Sequence, residues 1–243
     1  MKKMKDIEEY SKLGLPNLIG IDSAYSKAGV ACFRSGVLTH NLKLGRSLEQ
    51  MMDSTIMQEG LHQPFVARTF TNKYEKGEKQ KGELITGDCA RDKAVNLAIK
   101  VRDWAENERM DFQTNLQQNA AYSKGDNILR CRYQTRTDRT IIIVESPREI
   151  EARGWGNPTT HSKYAFANGT CVGMMIQGFE VLLKYPKATP LKDEARSILT
   201  SLYPALQNFI DECNNDEIDA LMCIFWYLWN MDDELFKQTY QLG

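Results

Sequence analysis

Four acids stand where chemistry can use them. Asp22 closes the apolar run "NLIGID", Glu145 closes "TIIIVE", and Asp216 and Asp219 open the strongly apolar run "NNDEIDALMCIFWYLWN". Asp216 and Asp219 are three residues apart, so on a helix they occupy neighbouring positions of one face. Carboxylate oxygens suit hard cations such as Mg²⁺ and Mn²⁺, which retain waters for a substrate phosphate. Two such ions, about 3.5–4 Å apart, stabilise both the attacking and the leaving oxygen of an in-line phosphoryl displacement. A purely structural reading competes with this one. "NNDEID" is also a good helix start, with Asn215 or Asp216 as N-cap and first-turn acids favouring the helix dipole. Either strand-end acid, taken singly, marks only where its strand stops. Asp219 is harder to dismiss, because it runs straight into a stretch that must be buried.

The elements that would position these acids follow from pattern. Two strands are predicted over 18–24 and 28–34, joined by "AYSKAG", and a third over 37–43 after "RSG", giving an antiparallel meander. Residues 1–15 predict a short helix or arm, and 46–60 have mixed helical character. "NKYEKGEKQKGE" is charge-rich and Gly-punctuated, a solvated loop or hairpin tip, or a DNA contact through Lys73, Lys76, Lys79 and Lys81. Val95, Leu97, Ala98, Val101 and Trp104 recur near helical spacing and predict an amphipathic helix over 92–108, packed on a sheet. "TIIIVE" is a buried-strand pattern of β-branched residues. A helix is expected over 162–178, with Gly169 and Gly173 allowing close approach to a sheet, then a strand over 179–185. Pro186 and Pro190 bracket the way into the helix "KDEARSILTSLYP", and an apolar helix closes the chain.

Composition narrows the class. The chain has 243 residues, 42% hydrophobic and 26% charged, enough for one domain with its own core. A net charge of −1 supplies no global basic field, so any nucleic-acid contact must be local. The six cysteines form no CxxC pair, which points to a reducing, intracellular setting. The longest apolar stretch is interrupted at Asp219 and is too short to span a bilayer comfortably.

The order of the motifs resembles the RNase H-like nuclease superfamily and, within it, the RuvC-type Holliday junction resolvases. "IGIDSAYSKAGVACF" is similar to that family's first strand and hairpin, "IIIVESP" to its central strand ending in Glu, and "NNDEIDALMCIFWYL" to its terminal helix. "KYPKATPLKDEARSILTSLYP" resembles the strand, basic turn and helix before that last motif, and its aromatic–Pro ending is similar to plant chloroplast resolvases. The resemblance covers 17–43 and about 140–230. It implies a single RNase H-like domain over 1–243, an α/β fold with a mixed central sheet (antiparallel meander plus parallel strands) flanked by helices. Residues 46–139 would then contain an enlarged insertion. It implies that Asp22, Glu145, Asp216 and Asp219 are catalytic acids holding two Mg²⁺ ions, with Mn²⁺ able to substitute. It also implies cleavage of four-way DNA junctions to 5′-phosphate and 3′-hydroxyl ends.

The expected DNA contacts are local. Lys192 stands in the basic turn before a helix, and Arg148, Arg153 and Trp155 follow Glu145, with Trp155 either wedging a base step or anchoring its loop. Arg130, Arg132, Arg136 and Arg139 form a basic face or polar strand edges, and His40, His62 and His161 show no metal-ligand spacing. Junctions have two-fold symmetry and paired incisions need two sites, so a homodimer is expected. The expected setting is the cytoplasm of a bacterium or a phage-infected cell. Two rival classes share parts of the pattern: an RNase H-like nuclease acting on RNA–DNA hybrids or on branched or single-stranded DNA, and an actin-like or sugar-kinase fold. The second lacks its phosphate-binding second hairpin and an adenosine-site Gly-rich motif in this sequence.

Overall fold

The computed structural model describes residues 6–24, 26–53, 63–71, 93–109, 139–145, 158–184 and 192–233. Five strands form one mixed sheet. β1 (Asn17–Ser23) and β2 (Lys27–Phe33) pair antiparallel from Leu18↔Phe33 to Ser23↔Ala28, and β3 (Phe65–Thr71) pairs antiparallel with β2. β4 (Thr140–Glu145) runs parallel to β1, and β5 (Glu180–Lys184) runs parallel to β4. The order across the sheet is β3-β2-β1-β4-β5, a meander continued by two parallel strands. The described helices are α1 (Ile7–Ser11), α2 (Ser35–Lys43), α3 (Leu48–Met52), α4 (93–109), α5 (Pro158–Met175), α6 (Lys192–Leu202), α7 (Gln207–Glu212) and α8 (Asn215–Asn230). The chain is therefore α/β, with helices on both faces of the sheet.

Strand alternation sorts the core into two layers. Leu18, Ala31, Phe33, Phe65, Ile141, Ile143 and Leu182 face α8 and its neighbours. Ile19, Ile21, Val30, Cys32, Ile142 and Val144 face the other way, against Leu97, Ala98, Val101 and Ala105 of α4 and Cys171 and Met175 of α5. The run of β-branched residues in β4 answers this geometry, because its strand is buried on both sides. Each fully buried Ile or Leu contributes roughly 1.5–3 kcal/mol, which makes this centre the rigid part of the fold. The buried Arg34 closes one end of it, with Nε donating to Glu108 Oε2 at 2.8 Å and tying α4 to the end of β2.

Two expectations are corrected here. Residues 37–43 form a helix, not the third strand of the meander. Ser35 turns the chain there: its amide donates to Asn17 Oδ1 at 3.1 Å and its hydroxyl to the Leu15 carbonyl at 2.7 Å. Leu38, Asn41 and Leu42 then turn inward at helical spacing. The third strand is β3, where Phe65 and Ala67 face one core layer and Val66 and Phe70 the other. β3 and α4 both fall within 46–139, so part of that stretch belongs to the sheet and its covering layer.

Gly169 and Gly173 do not mediate close packing. A Cβ at either would meet nothing within 4 Å among the described residues, because both lie on the outer side of α5. Close approach occurs instead at Gly20 and Gly29, under α8. No helix among the described residues is long and apolar enough to cross a membrane.

Candidate active site

Strand register brings the first two acids together. β1 and β4 pair in parallel up to Ile21↔Val144, so the next residue of each strand sets Asp22 beside Glu145. Glu145 in turn pairs with Lys184 on β5. In-register neighbours of a sheet point to one face. Asp22, Glu145 and Lys184 thus stand side by side on the α8 face, one pleat repeat beyond the buried Gly20, Ile143 and Leu182.

Two glycines let α8 lie across these strand ends. A Cβ on Gly20 would stand 1.9 Å from the Ala220 carbonyl oxygen, and one on Gly29 would stand 2.0 Å from that of Asp216. Gly29 is also the antiparallel partner of Asp22, so the first turn of α8 sits over the strand pair that carries the acid. The helix is capped by Asn214, not by Asn215 or Asp216. Asn214 Oδ1 accepts from the amides of Asp216 and Glu217 at 3.0 and 3.2 Å, and Glu217 Oε2 accepts from the Asn214 amide at 2.9 Å. Thr69 of β3 donates to Glu217 Oε1 at 3.0 Å and accepts from Asn214 Nδ2 at 2.8 Å. Capping therefore uses Asn214 and Glu217, and leaves the side chains of Asp216 and Asp219 for other work.

Asp219 is buried, while Asp22, Glu145 and Asp216 are half-buried. Lys27 Nζ donates to Asp216 Oδ2 at 2.5 Å. Two uncharged groups register the shared field of the other acids. Burial pushes the Tyr164 hydroxyl well above its ordinary pKa, and Asp22, Glu145 and Asp219 push it further the same way. The Cys223 thiol is pushed up to about 12, first by burial; Lys184 opposes the rise, and Glu145, Asp22 and Asp219 add to it. Both groups feel Asp22, Glu145 and Asp219, and the sheet register sets Asp22, Glu145 and Lys184 in one row. Asn168 of α5 closes the same end of the sheet, donating to the Glu145 carbonyl at 2.6 Å and to Ser23 Oγ at 3.2 Å.

No protein-family model, curated protein or solved structure matches the chain.

Carboxylates are the donor type that hard divalent cations take. Among the described residues, no group of three or more His, Cys, Asp or Glu side chains is gathered as a ready metal shell. The donor chemistry fits such an ion; Asp22 and Glu145 share a strand end, and Asp216 is held by Lys27. Lys192 is the first residue of α6. Arg148, Arg153 and Trp155 lie outside the described residues, as do Lys73, Lys76, Lys79, Lys81, Arg130, Arg132, Arg136 and His62. Arg139 has a structural partner: its Nε and Nη2 donate to Glu180 at 2.8 and 2.9 Å, joining the starts of β4 and β5.

Sequence reasoning passed over Lys27, Tyr164, Asn168 and Lys184. For Lys184 a signal existed: it is the last residue of an apolar strand, as Glu145 is of its own and Asp22 nearly is. Tyr164 and Asn168 are four residues apart on α5, and nothing local marks that face as the one that meets the acids.

Proposed function

We propose that the chain is a metal-dependent endonuclease with an RNase H-like core, acting on branched DNA and above all on four-way junctions. The observation that carries this is the meeting of Asp22 and Glu145 at one strand end, beneath the helix that brings Asp216 and Asp219. The sheet, a meander continued by two parallel strands between helices, is the arrangement that the resemblance implies. Asp22, Glu145, Asp216 and Asp219 would hold Mg²⁺, or Mn²⁺ in its place. The bound cations would supply a water of lowered pKa and charge stabilisation for the leaving 3′-oxygen. The residues of the chain do the rest. Gly29 admits the first turn of α8, Asn214 and Glu217 fix its start, Asn168 anchors the Glu145 backbone, and Lys27 pairs with Asp216 until a cation displaces it. Paired cuts across a two-fold junction call for two copies of the chain.

The test is Mg²⁺-dependent cleavage of a synthetic four-way junction with mapped nicks, set beside linear duplex, RNA–DNA hybrid and single strands. Symmetrically related nicks with 5′-phosphate ends, lost in a folded Asp22→Asn variant, are expected. Wild-type cleavage by Asp22→Asn overturns the assignment of the acid. Preference for the hybrid moves the substrate to the related nuclease class.

A further inference from the structure

Lys184 is fully buried, and its Nζ has no hydrogen-bond partner among the described residues. A buried ammonium without a partner is among the costlier features a fold can carry, so its surroundings must explain it. The register gives Glu145 as its strand neighbour on the same face. The Cys223 thiol feels Lys184 together with Glu145, Asp22 and Asp219, in keeping with the row that Asp22, Glu145 and Lys184 form across β1, β4 and β5.

We infer that Lys184 is the internal counter-cation of the acid cluster, a positioning residue whose charge offsets the repulsion among Asp22, Glu145 and Asp219 and holds them adjacent before any metal arrives. Carboxylates crowded together repel, and an opposite charge set in the same row offsets that repulsion. An amine at the end of β5 does this from the side, in the same row as Asp22 and Glu145. A fixed positive charge also opposes an incoming cation. Lys184 therefore trades metal affinity for an assembled site at low metal concentration. The inference rests on the proposed function only in taking a divalent cation as the ligand of the acids.

The experiment uses the full chain with Lys184→Met, Glu145→Gln and the double variant. Thermal midpoints in EDTA at low salt and Mn²⁺ affinity by paramagnetic titration are the readouts. Lys184→Met is expected to lower the metal-free midpoint in the wild-type background and to raise it in the Glu145→Gln background. It is also expected to bind Mn²⁺ at least fivefold more tightly than wild type. A higher metal-free midpoint in both backgrounds overturns the inference, because the lysine would then be only a buried liability. A lowered midpoint with unchanged Mn²⁺ affinity also overturns it, since packing alone would explain the loss. If Lys184→Met fails to fold, rescue by Glu145→Gln supports the inference and failure of rescue sinks it. Should wild type bind no Mn²⁺, the metal-dependent function fails, while the midpoints in EDTA still decide the role of Lys184.

Discussion

Gly29 lies directly beneath Asp216, so close that a Cβ there would stand 2.0 Å from the Asp216 carbonyl oxygen. The contact is with backbone and cannot be relieved by a side-chain rotation. Gly29→Ala must therefore lift the first turn of α8 and carry Asp216 away from the end of β1. A loss of about 1–3 kcal/mol is expected from overpacking of this kind, read by urea unfolding, together with a fall in cleavage. Gly169→Ala is the matched control: its Cβ meets open space, and removing a helical glycine should stabilise by up to about 1 kcal/mol. Equal losses in the two variants would contradict the packing of α8 on β2.

Lys27 and Asp216 give a prediction of opposite character. Lys27 is largely exposed, and ion pairs of that kind contribute about 1 kcal/mol or less. Lys27→Met should leave stability nearly unchanged. On the proposed function it should lower the Mg²⁺ concentration needed for half-maximal cleavage several-fold, because the lysine and the cation would compete for one carboxylate. An increased Mg²⁺ requirement would show instead that Lys27 orients Asp216 for the ion.

Asn168 holds two strand ends at once, through the Glu145 carbonyl and Ser23 Oγ. Asn168→Ala leaves both groups without that donor in a buried place, a cost of about 1–3 kcal/mol. Cleavage should fall with stability, since Glu145 follows its own backbone. A variant of full activity and wild-type unfolding midpoint would place the anchor of Glu145 elsewhere.

Legibility in the sequence tracked the range of the forces involved. β1, β2, β4, β5 and the closing helix were readable because apolar runs and β-branched residues act locally. The 37–43 segment was misread because its alternation suits a strand. What turns it into a helix is Ser35 bonding back to Leu15 and Asn17, a contact invisible in a local window. β3 was missed because "FVARTFT" borders a charge-rich stretch and is recognisable only once β2 offers an edge. The acids were legible as types at element ends. Their meeting depends on the parallel register of β1 with β4, and Lys184 joins them only through the register of β4 with β5. The glycines show the same limit: Gly169 and Gly173 sit in a small-residue helix, yet Gly20 and Gly29 carry the close contacts.

The thiols predict the alkaline limit of the fold. Burial pushes Cys171, Cys213 and Cys223 up to about 12 from an ordinary 9.0, and Cys32 higher still. A raised folded-state pKa means that the fold holds its proton more tightly than the unfolded chain does. Little stability is lost to these groups below about pH 8, where both states keep the proton. As the pH climbs above 9, the unfolded thiols ionise first and each can withdraw up to about 1.4 kcal/mol per pH unit. The urea midpoint should therefore be level up to about pH 8 and fall steeply by pH 10, and replacing Cys223 with Ala should make that fall shallower. In a Cys89→Ser/Cys131→Ser background, the native protein at pH 8 should release no colour from Ellman's reagent within minutes, and four thiols should appear in denaturant. Rapid reaction of any of the four in the native state would mean that the sheet and α8 open far more readily than their burial allows.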